Sequence, residues 1–239
     1  MKKVDALVPT KWVRVFSELQ MWIHIHLIHF AAAFLITGLP LINQDLFWWV
    51  AYGIGYPFYK AFPGFSPISA GVLIANWVHR ASAFILAPLL VIYVIAELFR
   101  IKNWEFSPVE WSFKALKDGI NSLIDYYLFK KHVKFGKYNM GQKLWIIGVI
   151  VGLIWMYVTG TILWFQFGLP KEILHNVLIL HDIGFYLAAI GLAVHVYLAV
   201  GIPEHKPMVT AMFRTGAIPE EFAKSHHPLF YEKISKEEE

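Results

Sequence analysis

Residues 177–202 read VLILHDIGFYLAAIGLAVHVYLAVGI, a run that contains one carboxylate and no Lys or Arg. A transmembrane helix needs about 20 mostly apolar residues to cross a hydrocarbon core of ~30 Å. This stretch meets that requirement, yet it carries two histidines, His181 and His195. Ionisable residues inside a membrane span are rare and usually functional. The stretch therefore predicts a membrane fold and also marks the position of a site.

Three further stretches have the same apolar character, so the sequence predicts four spans. Their approximate limits are 21–41, 71–98, 144–165 and 177–202. The chain of 239 residues is 57% hydrophobic and 16% charged, which excludes a disordered protein and an ordinary soluble enzyme. We predict an all-α fold, an integral membrane four-helix bundle that forms a single domain over residues 1–239.

The absence of cysteine excludes disulfides, thiol nucleophiles and cysteinyl iron–sulfur clusters. Residues 1–20 are basic and precede an apolar run, as in a signal peptide. The run that follows is too long and lacks a small-residue cleavage site, so we interpret it as the first span.

The basic residues predict the orientation of the chain rather than binding to nucleic acid. Eighteen Lys and Arg residues fall on the termini and the long middle connection, whereas two fall on the other two connections. By the positive-inside rule, both termini and the middle connection are cytoplasmic. Within that connection, helical periodicity predicts an amphipathic helix over approximately 108–128, started by a cap at Ser107 and lying on the inner membrane surface.

The two histidines of the last span share one side of a helix. Their separation of 14 residues is about 21 Å along the axis and returns to within about 40° of the starting direction. One imidazole therefore lies near the outer surface and the other near the inner surface.

Each of these histidines has a candidate partner at the same depth on another span. His79 matches the depth of His181, and His24 matches that of His195. Facing imidazoles in a bundle suit six-coordinate haem iron. Periodicity alone does not choose among His24, His26 and His29. The other interpretation of any single histidine in a span is a residue that forms an interhelical hydrogen bond and binds no cofactor. Zinc would find an incomplete coordination shell here, and copper would lack the cysteine thiolates that it favours.

Several motifs carry a resemblance to a known family. Residues 136–143 read GKYNMGQK, which resembles the G-K-Y-N-x-G-Q-K motif of the membrane cytochrome b (gamma) subunit of respiratory formate dehydrogenases. The resemblance continues through VTGTILW at residues 158–164, the histidine spacing of the last span, and HHPLFY at residues 226–231.

The resemblance implies four axial ligands for two haem b groups. In the family pattern the first-helix ligand lies 14 residues before a glycine, and counting back from Thr37-Gly38 gives His24. The implied ligand pairs are His79 with His181 for the outer haem, and His24 with His195 for the inner haem.

The resemblance also implies a quinone pocket on the cytoplasmic side, whose polar residues fall on Asn139, Gly141 and Gln142 near the inner haem. The other interpretation of this loop is a turn that enters the third span. Arg80 has no counterpart that we can assign in the family pattern; it would pair with a haem propionate or extend to the interface.

By resemblance, the chain passes electrons from an outer iron–sulfur beta subunit, attached to a catalytic molybdenum or tungsten subunit, to menaquinone or ubiquinone. It would be a multi-pass protein of the bacterial cytoplasmic (inner) membrane, and we expect no formate-oxidising site in this chain. Three alternatives stay open. The chain could be the cytochrome b anchor of a nickel–iron hydrogenase or thiosulfate reductase, a histidine-lined transporter without haem, or a purely structural anchor.

Overall fold

A computed structural model describes residues 11–100, 112–129, 131 and 133–237. Helices dominate this part of the chain, and the predicted all-α class is confirmed. The strands and α-helices in chain order are β1 (Trp12–Arg14), α1 (Glu18–Ile42), α2 (Trp48–Gly55), α3 (Pro67–Arg100), α4 (Phe113–Tyr127), α5 (Met140–Phe165), α6 (Lys171–Val200), α7 (Lys206–Thr210), β2 (Ala217–Pro219), α8 (Glu220–His226) and α9 (Pro228–Glu237). Short 3-10 helices lie at Tyr59–Ala61 and Pro203–His205, and a π-helical turn lies at Ala211–Thr215.

Within the described ranges, four helices are long and apolar enough to cross a membrane: α1, α3 over Pro67–Ala96, α5 and α6. Each contains most of a predicted span but begins three to six residues earlier. The first turns of these helices contain polar residues that lie outside the apolar runs, namely Glu18, Ser69, Gln142 and Lys171. The predicted last span also ran two residues too far, since α6 ends at Val200, just before Gly201 and Pro203.

Three of these four helices begin with the same reciprocal pairing of side chains and backbone. In each, two residues three positions apart exchange hydrogen bonds, with each backbone N–H donating to the other residue's side chain. Such a pair satisfies two of the N–H groups that a helix leaves unpaired at its start. The pairs are Ser17 with Gln20 on α1, Ser66 with Ser69 on α3, and Asn139 with Gln142 on α5.

The chain divides into two compact units. The paired-histidine unit comprises Trp22–Arg100 and Gly152–Ala193, and the terminal unit comprises Met1–Met21, Ile101–Val151 and Val194–Glu239. The paired-histidine unit contains α2, α3 and most of α1, together with residues 152–165 of α5 and the larger part of α6.

In the paired-histidine unit, α2 packs backbone to backbone against the start of α3. A Cβ atom at Gly55 would lie 1.9 Å from the carbonyl oxygen of Pro67, and one at Gly71 would lie 1.7 Å from that of Ala51. Any larger side chain at either glycine would force the two helices apart. Trp48, Trp49 and Tyr56 of this segment are exposed.

The terminal unit joins the two ends of the chain. Strand β1 pairs antiparallel with β2, so that Val13 lies opposite Ile218. A small buried core surrounds this pair and consists of Val13, Val15, Phe16, Ala211, Ile218, Ala223 and Phe230.

Helix α4 also belongs to the terminal unit, and it falls within the predicted amphipathic segment. It begins at Phe113, where the Ser112 hydroxyl accepts a hydrogen bond from the N–H of Ala115 at 3.1 Å. The predicted cap at Ser107 lies outside the described residues. A Cβ atom at Gly119 would lie 2.5 Å from Cε of Met140, so this glycine lets α4 pack against the first residue of α5.

Candidate functional site

Two of the predicted ligands, His79 and His181, face each other inside the paired-histidine unit. His79 lies on α3 and His181 on α6, and both side chains are half-buried. Their ring centres are 6.3 Å apart, and the ring planes are inclined by 66°. The structure therefore brings together the two histidines that sequence depth had matched.

Each of these imidazoles forms a hydrogen bond to a buried threonine on a neighbouring helix. Nδ1 of His79 lies 3.0 Å from the hydroxyl oxygen of Thr37 on α1. Nδ1 of His181 lies 2.8 Å from the hydroxyl oxygen of Thr159 on α5. The two bonds are equivalent in atom type and in the kind of partner, so four helices contribute to one local arrangement.

The threonine hydroxyls determine which nitrogen of each imidazole carries the proton. Thr37 donates to the carbonyl of Ala33 at 2.6 Å, and Thr159 donates to that of Trp155 at 2.8 Å. A hydroxyl has a single hydrogen, so toward the imidazole it can only accept. This hydrogen-bond pattern assigns the proton of each imidazole to Nδ1, and each Nε2 then keeps the lone pair that a metal ion requires.

A glycine follows each threonine and gives room to the rings beside it. A Cβ atom at Gly160 would lie 3.2 Å from Cε1 of His181. One at Gly38 would lie 3.2 Å from the Phe185 ring and 3.8 Å from Cε1 of His79. The Thr-Gly step occurs twice within the predicted spans. This repetition was the available signal for both threonines, which the sequence analysis had not assigned to the site.

The spacing of the two histidines fits one metal ion between them. A histidine nitrogen binds a transition-metal ion at about 2.0 Å, so two such bonds and the half-widths of two rings span roughly 6 Å between ring centres. The observed 6.3 Å agrees with this span. Elsewhere in the described ranges, no group of three or more His, Cys, Asp and Glu side chains could hold a metal ion. The pair thus fits an axial ligand set of two imidazoles, as in haem.

Arg80 follows His79 on α3. Its guanidinium carbon lies 5.4 Å from the centre of the Trp164 ring, which is a cation–π contact. The predicted alternatives for Arg80, a haem propionate or the interface, stay open.

The three histidines of α1 differ in their surroundings. His26 donates from Nδ1 to the carbonyl of Trp22 at 2.8 Å, and its ring lies against the Trp22 ring with centres 4.0 Å apart. The ring of His29 is 6.0 Å from that of His26. These local contacts give His26 a structural role within α1. The choice of His24 as a ligand stays a prediction.

His195, the last predicted ligand, lies in the terminal unit. Its ring stacks on the indole of Trp145, with centres 5.0 Å apart and planes inclined by 10°. Trp145 lies near the start of α5, one turn after the residues of the predicted quinone pocket. The pairing of His195 with His24 stays a prediction.

The predicted quinone residues form the start of α5. The backbone N–H of Asn139 donates to Oε1 of Gln142, and that of Gln142 donates to Oδ1 of Asn139, both at 2.9 Å. Their carbonyl oxygens therefore cap a helix. A Cβ atom at Gly141 would lie 3.3 Å from Cδ1 of Leu123, so this glycine lets α4 approach α5. Within the described part of the chain, neither amide nitrogen donates a hydrogen bond, so both could still bind a quinone carbonyl.

The tail motif contacts this same loop. Nδ1 of His227 donates to the carbonyl of Gly136 at 2.9 Å, and the N–H of Leu229 donates to that of Phe135 at 3.3 Å. The ammonium group of Lys137 lies within 6 Å of three aromatic ring centres, those of Phe16, Tyr138 and Phe230. Two motifs that lie 90 residues apart in sequence thus form one structural feature.

Curated relatives of the chain are named as cytochrome subunits of formate dehydrogenase. The cytochrome b556(fdo) subunit of Escherichia coli (strain K12) is 31% identical over 104 residues, 42% of this chain and 47% of that subunit. The cytochrome b556 subunit of Haemophilus influenzae is 32% identical over 111 residues, 44% of each chain. The nitrate-inducible b556(Fdn) subunit of E. coli K12 is 29% identical over 106 residues, 43% of this chain and 47% of that subunit. The chain spans about half the length of these relatives.

A broader match covers most of the chain. The family described as prokaryotic cytochrome b561 matches residues 15–215. This family is a helical bundle and implies haem b binding, which agrees with the four apolar helices and the facing imidazoles. Because the match leaves out only the two ends of 239 residues, the chain belongs to the prokaryotic cytochrome b561 family.

Proposed function

We propose that this chain is the di-haem cytochrome b membrane subunit of a formate dehydrogenase. It would carry electrons from an outer iron–sulfur beta subunit, itself bound to a catalytic molybdenum or tungsten subunit, to menaquinone or ubiquinone near the cytoplasm. Three curated relatives bear the name of such a subunit, and membership in the cytochrome b561 family supports the haem.

The observation that carries this proposal is the pair of His79 and His181. Their rings are 6.3 Å apart, and each Nδ1 bonds to a threonine hydroxyl that has already donated its hydrogen. A histidine that served only as a hydrogen-bonding link between helices would not require both Nε2 lone pairs to be free at this spacing. Axial ligation does require it.

Each part of the chain has a defined task in this proposal. When bound, the haems supply one-electron transfer between the two membrane surfaces. His79 and His181 would hold the outer haem, and His24 and His195 the inner one. The stack on Trp145 would limit rotation of the His195 ring. Asn139 and Gln142 would offer amide N–H groups to the quinone carbonyls, and Gly141 would keep α4 close to them.

The orientation of the chain gives the electron transfer an energetic role. If the basic side is cytoplasmic, electrons move inward against a potential that is negative inside, which stores about 2.3 kcal/mol per electron at 100 mV. Protons for quinone reduction would then be taken up from the cytoplasm, which adds to the charge separation.

Purification of the native complex through a tag on this chain tests the proposal. We expect co-purification of an iron–sulfur subunit and a molybdenum or tungsten subunit, and haem reduction when formate is added. A nickel–iron hydrogenase or a thiosulfate reductase partner would move the chain to a related complex. Absence of the sharp α and β bands from the reduced-minus-oxidised spectrum would overturn the proposal in favour of a transporter without haem.

A purely structural anchor makes a different prediction for the same preparation. If the chain only anchored its partners, His181→Ala or His195→Ala would leave quinone reduction intact. We expect both substitutions to abolish it.

A further inference from the structure

Buried polar side chains are few in this apolar protein, and two of them contact the facing histidines. Among the described residues, the buried polar side chains are Thr37, Ser82 and Thr159. Thr37 is 5% exposed and Thr159 is 8% exposed, whereas the imidazoles they contact are only half-buried. A buried hydroxyl in an apolar helix is costly unless it is hydrogen-bonded. Thr37 and Thr159 are each bonded to a carbonyl of their own helix and to an imidazole.

The two threonines share four features, although the Thr159 hydroxyl also lies 3.3 Å from the carbonyl oxygen of Met156. Each lies in the interior of an apolar helix, donates to the carbonyl four residues earlier, lies within 3.0 Å of an imidazole Nδ1, and precedes a glycine that leaves room for neighbouring rings. A threonine that merely saturates its own hydroxyl needs only the bond to its own helix. Each threonine also forms a second hydrogen bond, to Nδ1 of a histidine. Because both threonines form this bond to the same atom type, we infer that it serves the histidines.

We propose that Thr37 and Thr159 are positioning residues that fix the tautomer and ring orientation of His79 and His181 as ligands. The inference rests on the proposed function, in that it takes this pair as the axial ligands of the outer haem. Each hydroxyl accepts the Nδ1–H and thereby presents Nε2 to the iron. Neither threonine touches the iron, and each acts through its histidine.

The bond to Nδ1 has a consequence that can be measured on the haem itself. A hydrogen bond accepted from Nδ1–H makes the imidazole a more basic ligand and holds the ring in one orientation. A more basic ligand favours the oxidised iron. Removal of the hydroxyl should therefore raise the midpoint potential of the outer haem, change its ferric EPR signal and loosen its retention. Loss of a partner of this kind typically weakens metal binding by about 10- to 100-fold.

Valine replaces threonine with nearly the same shape but without the hydroxyl, so Thr37→Val and Thr159→Val are the test variants. Serine retains the hydroxyl, so Thr37→Ser and Thr159→Ser are the rescue variants. Thr161→Val is the matched control, because Thr161 lies on the same helix as Thr159 and, in the described ranges, makes no hydrogen bond to a histidine. All are prepared as the intact complex, and each haem is titrated by absorbance and EPR.

We expect both valine variants to raise the potential of one haem and change its EPR signal, while the other haem, Thr161→Val and the serine variants stay as in the wild type. Loss of that haem in the valine variants with retention in the serine variants would equally support the proposal. Unchanged potentials and signals in both valine variants would overturn it, as would equal losses in Thr159→Ser or Thr161→Val. A wild-type complex without an outer haem would overturn the proposed function as well, whereas a wild type with both haems and unresponsive variants would overturn this inference alone.

Discussion

Glycines lie beside the facing histidines at the positions where an aromatic ring comes close to the helix backbone. Gly160 lets the His181 ring lie where a Cβ atom would be only 3.2 Å from Cε1, and Gly38 does the same for the Phe185 ring. Sequence reasoning singled out His79 and His181, because an imidazole in an apolar run is conspicuous, and the structure brings these two rings together. It did not identify the role of Thr37 or Thr159, since a threonine in a span is ordinary until its partner across the helix interface is known.

Gly160→Ala should disturb the outer pair selectively. The added methyl group would press on His181, and overpacking of this kind typically costs about 1–3 kcal/mol. On heating, we expect the absorbance of one haem to be lost at a lower temperature than in the wild type. Gly152→Ala on the same helix is the matched control, because a Cβ atom there meets nothing within 4 Å. Equal behaviour of the two variants would contradict the contact.

His195→Ala should remove the inner haem and stop quinone reduction, since no other imidazole is predicted at that ligand position. The outer haem should still be reduced by formate, which separates loss of a ligand from misfolding. The measurement is haem content and substrate-driven reduction in the purified complex. A variant that keeps both haems would refute the assignment of His195.

At the level of elements, the long helices were predictable and their starts were not. Apolar composition over more than 20 residues identified α1, α3, α5 and α6. The capping pairs that begin three of them use ordinary polar residues. Asn139 and Gln142 were interpreted as quinone-binding residues, with a turn that enters the third span as the other interpretation. Helix α2 was missed as a helix because eight residues do not establish a period, and its packing depends on Gly71 of another element.

Gln142→Glu distinguishes the two roles of this residue. A glutamate still accepts the hydrogen bond from the N–H of Asn139, so the start of α5 is preserved, but the amide N–H donors are lost. If Gln142 binds quinone, we expect weaker binding of a quinone-site inhibitor with both haems retained. Gln142→Ala is the comparison variant, because it also loses the oxygen that caps the helix. We expect it to lower the free energy of unfolding by about 1 kcal/mol.

Inhibition that is unchanged in Gln142→Glu and lower stability in Gln142→Ala would leave Gln142 with the capping role alone. The predicted quinone pocket would then have to lie elsewhere.

At the scale of the whole chain, the contact between the tail and the 136–143 loop should depend on pH. Burial lowers the pKa of His227 from its ordinary 6.5, although the bond to the Gly136 carbonyl acts in the opposite direction. The docked tail therefore disfavours the protonated form of His227 relative to an undocked tail, whose histidine binds a proton below about pH 6.5. Docking is therefore constant above that pH and weakens as the pH falls below it.

Limited proteolysis of the tail in the lipid-embedded complex measures this dependence. We expect faster cleavage at roughly pH 5.5 than at roughly pH 7.5 in the wild type. His227→Gln keeps a hydrogen-bond donor but cannot titrate, so its cleavage rate should change less with pH. The same pH dependence in both proteins would contradict the role of His227.

The pairing of β1 with β2 could not be predicted from the sequence. Strands of three residues are too short to show an alternating hydrophobic pattern, and the two strands lie about 200 residues apart in the chain. The same holds for the contact of His227 with Gly136. Both motifs were recognised by resemblance, but nothing in either stretch says that they meet.

The haem content of the purified chain, measured by pyridine haemochrome absorbance together with low-temperature EPR, decides whether the chain holds two bis-histidine haems. We expect two haem b groups per chain, both low-spin with two imidazole ligands, and one haem fewer in His181→Ala. A folded wild-type chain without haem, or haem content unchanged by His181→Ala, would contradict this expectation.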